Sequence, residues 1–217
     1  MSKPISIPLR VNAEQQARLA ALQQVFAAAC NALAPIARDN RCWNRVALHH
    51  LAYRDLRERF PQIGSQMACN AIYSVSRACR LVYQHPRSPW NLSRLGERPL
   101  PLVKFQAGAP VYFDRHTLSL KHGQLSLFTL DGRIHFSLDI SSEDEERFHR
   151  EKLREVVLTP DGQGFRLMFF FVDGAAGKAA ESDDELPEYV VITEAASAAS
   201  RGTETSSRVA LPASAAA

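Results

Sequence analysis

The stretch "ISIPLRVNAEQQARL", residues 5–19, changes period midway. Ile5, Ile7, Leu9 and Val11 alternate with smaller or polar residues, the period of a half-buried strand. Pro8 cannot donate to a ladder, so this strand belongs at an edge or a bulge. Asn12 has the chemistry of a helix N-cap, and Gln15 stands three residues on at the capping-box position. Leu19, Leu22, Phe26, Cys30, Leu33 and Ala37 then recur every three to four residues, which predicts a first helix over 13–38. A strand that runs straight into a helix has no hairpin partner beside it. Its partners must come from later in the chain.

A second helix is predicted over 42–59, with Trp43, Ala47, Leu51 and Leu56 as its apolar side and Pro61 after its end. A third is predicted over 64–84. Its stripe Ala71, Val75, Ala78 and Val82 lies roughly opposite a second stripe, Tyr73, Arg77, Arg80 and Gln84. The helix is therefore expected to bury one side and show an aromatic and two guanidiniums on the other. Residues 85–101, "HPRSPWNLSRLGERPLP", are Pro-rich and close the helical part.

Beyond them the period changes to two. "PLVKF", "VYFD" and "TLSL" are short strand candidates, and "LSLFTLDGRIHFSL" predicts a hairpin about Asp131-Gly132, a pair suited to a type I′ turn. "EVVLTPDGQGFRLMFFF" repeats the pattern about Asp161-Gly162, and "SSEDEERFHREK" between them is a charged connection or short helix. The order is strand, three helices, then five to seven antiparallel strands. This predicts an α+β fold: a small antiparallel β-barrel with a three-helix insertion after its first strand. The divisions are 1–11 for the first strand, 12–100 for the helices and 101–173 for the remaining strands. Residues 174–217 are rich in Ala, Ser, Gly and acid and are expected to be mostly disordered, with a short strand-like exception at "PEYVVITE".

No unbroken apolar run of about 18 residues occurs, and the N-terminus lacks a secretory pattern, so no membrane span is expected and the cytoplasm is the expected location. Cys30, Cys42, Cys69 and Cys79 fit no zinc spacing and are expected to be reduced thiols. The net charge of +3 hides an asymmetry. Residues 1–110 carry 15 Lys+Arg against 5 Asp+Glu, and residues 111–217 carry 11 against 18. A basic half points to a polyanionic partner, nucleic acid first.

Several phrases together resemble one family. "IPLRVNAEQQARLAALQQVFAAACNALAPIA", "NRVALHHLAYRDLRERFP" and "ACNAIYSVSRACRLVY" are similar to the N-terminal segments of the TnpB (OrfB-type) transposon proteins. "VYFDRHTLSLKHGQLSLFTLDGRIHF" and "REVVLTPDGQGFRLMFFF" are similar to the same family's strands, and the resemblance spans about residues 4–172 in order. That family consists of RNA-guided DNA nucleases related to compact type V CRISPR effectors. The resemblance implies a wedge barrel with an inserted helical recognition domain. Together these would grip guide RNA and the guide–target hybrid while base pairing reads the sequence. It also implies a RuvC-like nuclease after the wedge, holding two metal ions with separated carboxylates. After Val172 only 45 residues follow, and the nuclease is expected to be missing, with a remnant at 188–194 in which Glu194 stands near the place of the first carboxylate.

The expectation is a truncated TnpB-like protein that binds RNA or an RNA–DNA hybrid without cleavage and takes no cofactor. One alternative is a nucleic-acid-binding subunit whose nuclease is a separate chain. The other is an interaction module without nucleic-acid function. The best contact candidate is the Tyr73, Arg77 and Arg80 face, because guanidiniums take phosphate bidentately and Tyr stacks on bases. Arg41 and Arg45 lie one turn apart near the start of the second helix, Arg54 and Arg57 lie towards its end, and Arg87, Arg94 and Lys104 lead into the strands. His49 and His50 point about 100° apart on a helix and make no metal pair. Loss of a nuclease that packs on the wedge is expected to leave part of Leu167–Phe171 exposed and to favour self-association.

Overall fold

The computed structural model describes residues 3–162, 164–172 and 190–193. In chain order it forms β1 (Ile5–Leu9), α1 (Ala13–Asp39), α2 (Arg45–Arg59), a 3-10 turn (Pro61–Ile63), α3 (Gly64–Tyr83) and the single turn α4 (Leu92–Leu95). Then follow β2 (Leu102–Phe105), β3 (Val111–Phe113), β4 (Leu118–Lys121), β5 (Gln124–Thr129) and β6 (Gly132–Ser137). The last elements are α5 (Ser142–Arg150), β7 (Leu153–Asp161), β8 (Gly164–Phe171) and β9 (Val190–Thr193).

β1 does join the later strands. It pairs antiparallel with β8, from Ile5 opposite Phe169 to Leu9 opposite Phe165, at the edge of a sheet ordered β1-β8-β7-β3. The three long helices are thus inserted between a strand and its sheet partners. Pro8 sits in this edge strand opposite Arg166, where a missing N–H costs least. β4, β5 and β6 form a separate meander, and β2 pairs with β9. The architecture is α+β with antiparallel sheets. The described pairings do not close a barrel: β3 and β1 are edges, and the meander pairs only within itself.

Asn12 caps α1 as its chemistry demands, in a full capping box with Gln15. α2 starts later than expected because Asn44 caps it, accepting from the amides of Val46 and Ala47. Its buried stripe is Leu48, Ala52 and Leu56. Trp43 lies outside the helix and packs its ring 5.0 Å from that of Tyr83. Ala47 and Leu51 point outward, a one-position error of phase. α3 buries most of its circumference, and its less buried positions Gln66, Cys69, Tyr73, Arg77 and Arg80 fall along one half-buried face, the side expected to carry the aromatic and the guanidiniums.

Polar side chains bolt the helices to the strands. Gln23 Nε2 donates to the carbonyls of Gly108 and Ala109 at 3.0 Å each. Asn31 donates to the Phe105 carbonyl at 2.9 Å and accepts from its amide at 2.8 Å, imitating a neighbouring strand. Asn70 donates to the Tyr112 carbonyl at 2.9 Å. One apolar cluster runs through β1, the long helices and the strands. α1 is long and apolar enough, by length and composition, to cross a membrane, which the count of unbroken apolar residues overlooked. In this fold it packs against α3 and β2.

The turns differ from expectation. Thr129 pairs with Gly132, so Leu130 and Asp131 form the loop, and only Gly132 has a positive φ, +89°. A type I′ turn needs positive φ at both central residues. That pattern occurs instead at His122 (+50°) and Gly123 (+69°), between Lys121 and Gln124. At the other predicted turn Asp161 stays in its strand opposite Gly164. In the strand-like piece near the C-terminus, Val190–Thr193 pairs with β2 and buries Val190. Glu194, the rest of the 188–194 remnant apart from β9, and the expected disordered tail lie outside the described residues.

Candidate nucleic-acid interface

α3 lies against the edge of the four-stranded sheet, and Tyr73 and Arg77 of its second stripe bond that sheet, while Gln84 at the end of the stripe is exposed. Tyr73 Oη donates to Glu155 Oε2 of β7 at 3.0 Å. Arg77 Nη1 donates to Tyr112 Oη of β3 at 3.0 Å. The rings of Tyr73 and Tyr112 meet edge to face, 5.7 Å apart. Arg45, in the first turn of α2, places its guanidinium 5.4 Å from the centre of the Tyr73 ring. On the other side Arg154 bonds Glu155 Oε1 at 3.0 Å and lies 5.1 Å from the centre of the Phe170 ring. A continuous seam therefore runs from α2 across α3 and β3 to β7 and β8.

The burial of Glu155, only 5% exposed, explains the order of this seam. A buried carboxylate is costly unless bonded, and here the phenol and the guanidinium each take one oxygen. Burial first, and then the neighbouring carboxylate, push the Tyr73 phenol up to about 12. It stays a donor through the physiological range. Among the described residues the seam brings the guanidiniums of Arg45, Arg77 and Arg154 around the carboxylate of Glu155. Asp114, at the end of β3, is occupied by Gln66 and by the turn it caps at His116 and Thr117. Met168 and Phe170 are half-buried on the same sheet face, next to Arg154.

Of the predicted contact residues, Arg45, Tyr73 and Arg77 come together here, and Arg80 lies half-buried farther along α3. Burial thus changes the role of Tyr73: its hydroxyl is taken, and its ring supports Arg45. Arg57 is near enough to act, with Arg45, on the charge of the Cys69 thiol, which burial pushes up. Arg41 precedes α2 in an exposed left-handed corner, φ +47°, and not on its first turn. Arg54 is paired with Glu58 at 3.3 Å on the outer side of α2. Arg87 is exposed, Arg94 reaches the Ser88 carbonyl at 3.5 Å, and Lys104 is exposed on β2. These last three do not belong to the seam.

Sequence reasoning missed Tyr112, Arg154, Glu155 and Phe170. A signal existed, since Glu155 opens the apolar run "EVVL" at a strand position where a carboxylate needs partners. His49 and His50 meet edge to face at 5.9 Å, and His49 stacks on Tyr53 at 4.5 Å. Among the described residues no three His, Cys, Asp or Glu stand together as a metal site. All four cysteines are free, with Cys30 and Cys79 buried and Cys42 and Cys69 half-buried. No protein-family model matches the chain, and no curated protein matches it.

Proposed function

We propose that this chain binds nucleic acid through the α2–α3–sheet seam, gripping structured RNA or an RNA–DNA hybrid without cutting it, in the manner of the wedge and recognition half of a TnpB-like protein. The observation that carries the reading is the seam itself. Guanidiniums of Arg45 and Arg154 rest on the rings of Tyr73 and Phe170, where the helical insertion meets the sheet. Cations held in place on aromatic rings offer phosphate contacts at low entropic cost, and half-buried Phe170 and Met168 beside them suit base or ribose packing. The return of β1 to β8 after three helices supports the wedge reading. In that reading β1, β3, β7 and β8 are the wall of a wedge barrel.

Gel-shift titration with structured RNA at low ionic strength tests this. Salt-sensitive binding is expected, with Arg45→Ala and Arg154→Ala each weakening it and flattening the salt slope by about 1. Absence of any salt-sensitive shift leaves the interaction module as the reading. Magnesium-dependent cleavage by the purified chain refutes binding without cutting. The separate-chain alternative draws support from a different observation. Val46 and Leu51 on the outer side of α2 are 64% and 48% exposed, and apolar side chains so placed suit a protein partner or a second copy.

A further inference from the structure

We infer that the outward face of the β4-β5-β6 meander is a second contact surface, for the phosphodiester backbone of single-stranded nucleic acid; this rests on the reading of the seam as a nucleic-acid site. The inward face of the meander is buried and mostly apolar: Leu118, Leu120, Leu125, Leu127, Ile134 and Phe136, with Thr129 its one buried polar side chain among the strand residues. The outward face is set by register in three rows. Phe128 lies opposite Arg133, Ser126 lies between Ser119 and His135, and Gln124 lies between Lys121 and Ser137. Every outward side chain in these rows is basic, neutral polar or aromatic, and none is a carboxylate. The nearest acids in sequence, Asp131 and Asp139, flank β6 without lying on it, and Asp139 faces Arg10 at 3.7 Å.

Arg133 is held in place. Its Nε donates to Ser126 Oγ at 2.8 Å, and Nη2 reaches the Ser126 carbonyl at 3.3 Å and Ser119 Oγ at 3.5 Å. The guanidinium therefore lies across all three strands, anchored by one edge to groups that carry no opposing charge. Gln124 is likewise tied to Ser137 Oγ at 3.0 Å. Rows two residues apart are spaced by about 7 Å, so Arg133 and Lys121 stand some two rows apart along this face. The face of a three-stranded sheet is too broad to enter a duplex groove, whereas an extended strand can lie across it and meet both cations. Charge complementarity and shape thus select the single strand.

Fluorescence anisotropy with labelled oligo(dT) and oligo(U) of about 20 nucleotides tests the assignment. Arg133→Ala combined with Lys121→Ala alters only exposed side chains, so the fold is retained. The pair is expected to weaken binding about tenfold and to flatten the salt slope by about 1.4, at about 0.7 for each phosphate no longer neutralised. Arg133→Lys with Lys121→Arg is expected to keep the slope. Unchanged affinity and slope in the double Ala variant, while Arg45→Ala with Arg154→Ala loses binding, overturns this inference and leaves the seam intact. Wild-type protein that binds neither oligonucleotide nor structured RNA overturns both. Tighter binding of a duplex of the same length overturns the single-strand assignment.

Discussion

At the scale of single residues, two positions carry more than their size suggests. Gly64 joins the 3-10 turn to α3 at φ +67°, and a Cβ there would lie 3.2 Å from the Phe128 ring. Gly64→Ala must therefore bear left-handed strain and push against an aromatic of β5. A loss of about 1–3 kcal/mol is expected, read as a lower urea midpoint at constant slope. Tyr73 titrates to a different purpose. Its phenol is pushed up to about 12, and burial also pushes the Cys30 and Cys79 thiols up to about 12. In each case the folded state holds its proton more tightly than the unfolded chain. Stability from these groups is complete below their unfolded values and falls as the pH climbs from about 9 to 12. An alkaline series of thermal melts should show this decline. Tyr73→Phe should lose part of it and also cost about 1–2 kcal/mol at neutral pH, by leaving one oxygen of a buried carboxylate without its donor.

At the scale of elements, the reciprocal bond between Asn31 and Phe105 lets a helix act as the missing neighbour of a short strand. Asn31→Ala leaves both backbone groups of Phe105 without that partner, and a loss of about 2–4 kcal/mol is expected, with β2 and β9 amides exchanging faster than those of β7 and β8. Unchanged protection in β2 would count against the clamp. The same elements show what the sequence could reveal. The cap and the apolar spacing of α1 are local, so both its start and its buried face were legible. α2 begins after its cap Asn44, later than its apolar spacing from Trp43 suggests, and its buried stripe accordingly falls on Leu48 and Ala52 instead of Ala47 and Leu51. α3 keeps the expected extent and the expected difference between its faces, but its polar face is half-buried instead of open. Amphipathic spacing reveals that two faces differ, not that the polar one will meet a buried Glu155 about 80 residues later. The turn at His122-Gly123 carries no Asp-Gly or Asn-Gly signature, although any pair that tolerates positive φ can serve. Pairing of β9 with β2 is non-local and left no periodic trace.

At the scale of the whole molecule, the sequence suggested separable parts, helices at 12–100 and strands around them. The packing makes them dependent. Gln23 spends its side-chain bonds on the loop between β2 and β3, Asn31 and Asn70 bond strand backbone, Tyr83 donates to the Pro101 carbonyl at 2.6 Å, and one apolar cluster includes both parts. Each of those polar groups would be stranded if the other part were absent, and the apolar faces of α1 and α3 that meet the strands would be open to water. Residues 12–100 expressed alone are therefore expected to lack a cooperative unfolding transition. In the full chain, by contrast, Trp43 fluorescence, which reports the α1–α2 corner, and far-UV circular dichroism, which reports every element, should trace one coincident urea transition. Separate midpoints, or an excised helical segment that melts sharply, would show that the insertion carries its own core. The coupling also bears on the seam. Its guanidiniums and rings come from both parts, so a change that loosens the docking away from the seam, such as Gln23→Ala, should weaken RNA binding without touching a contact residue.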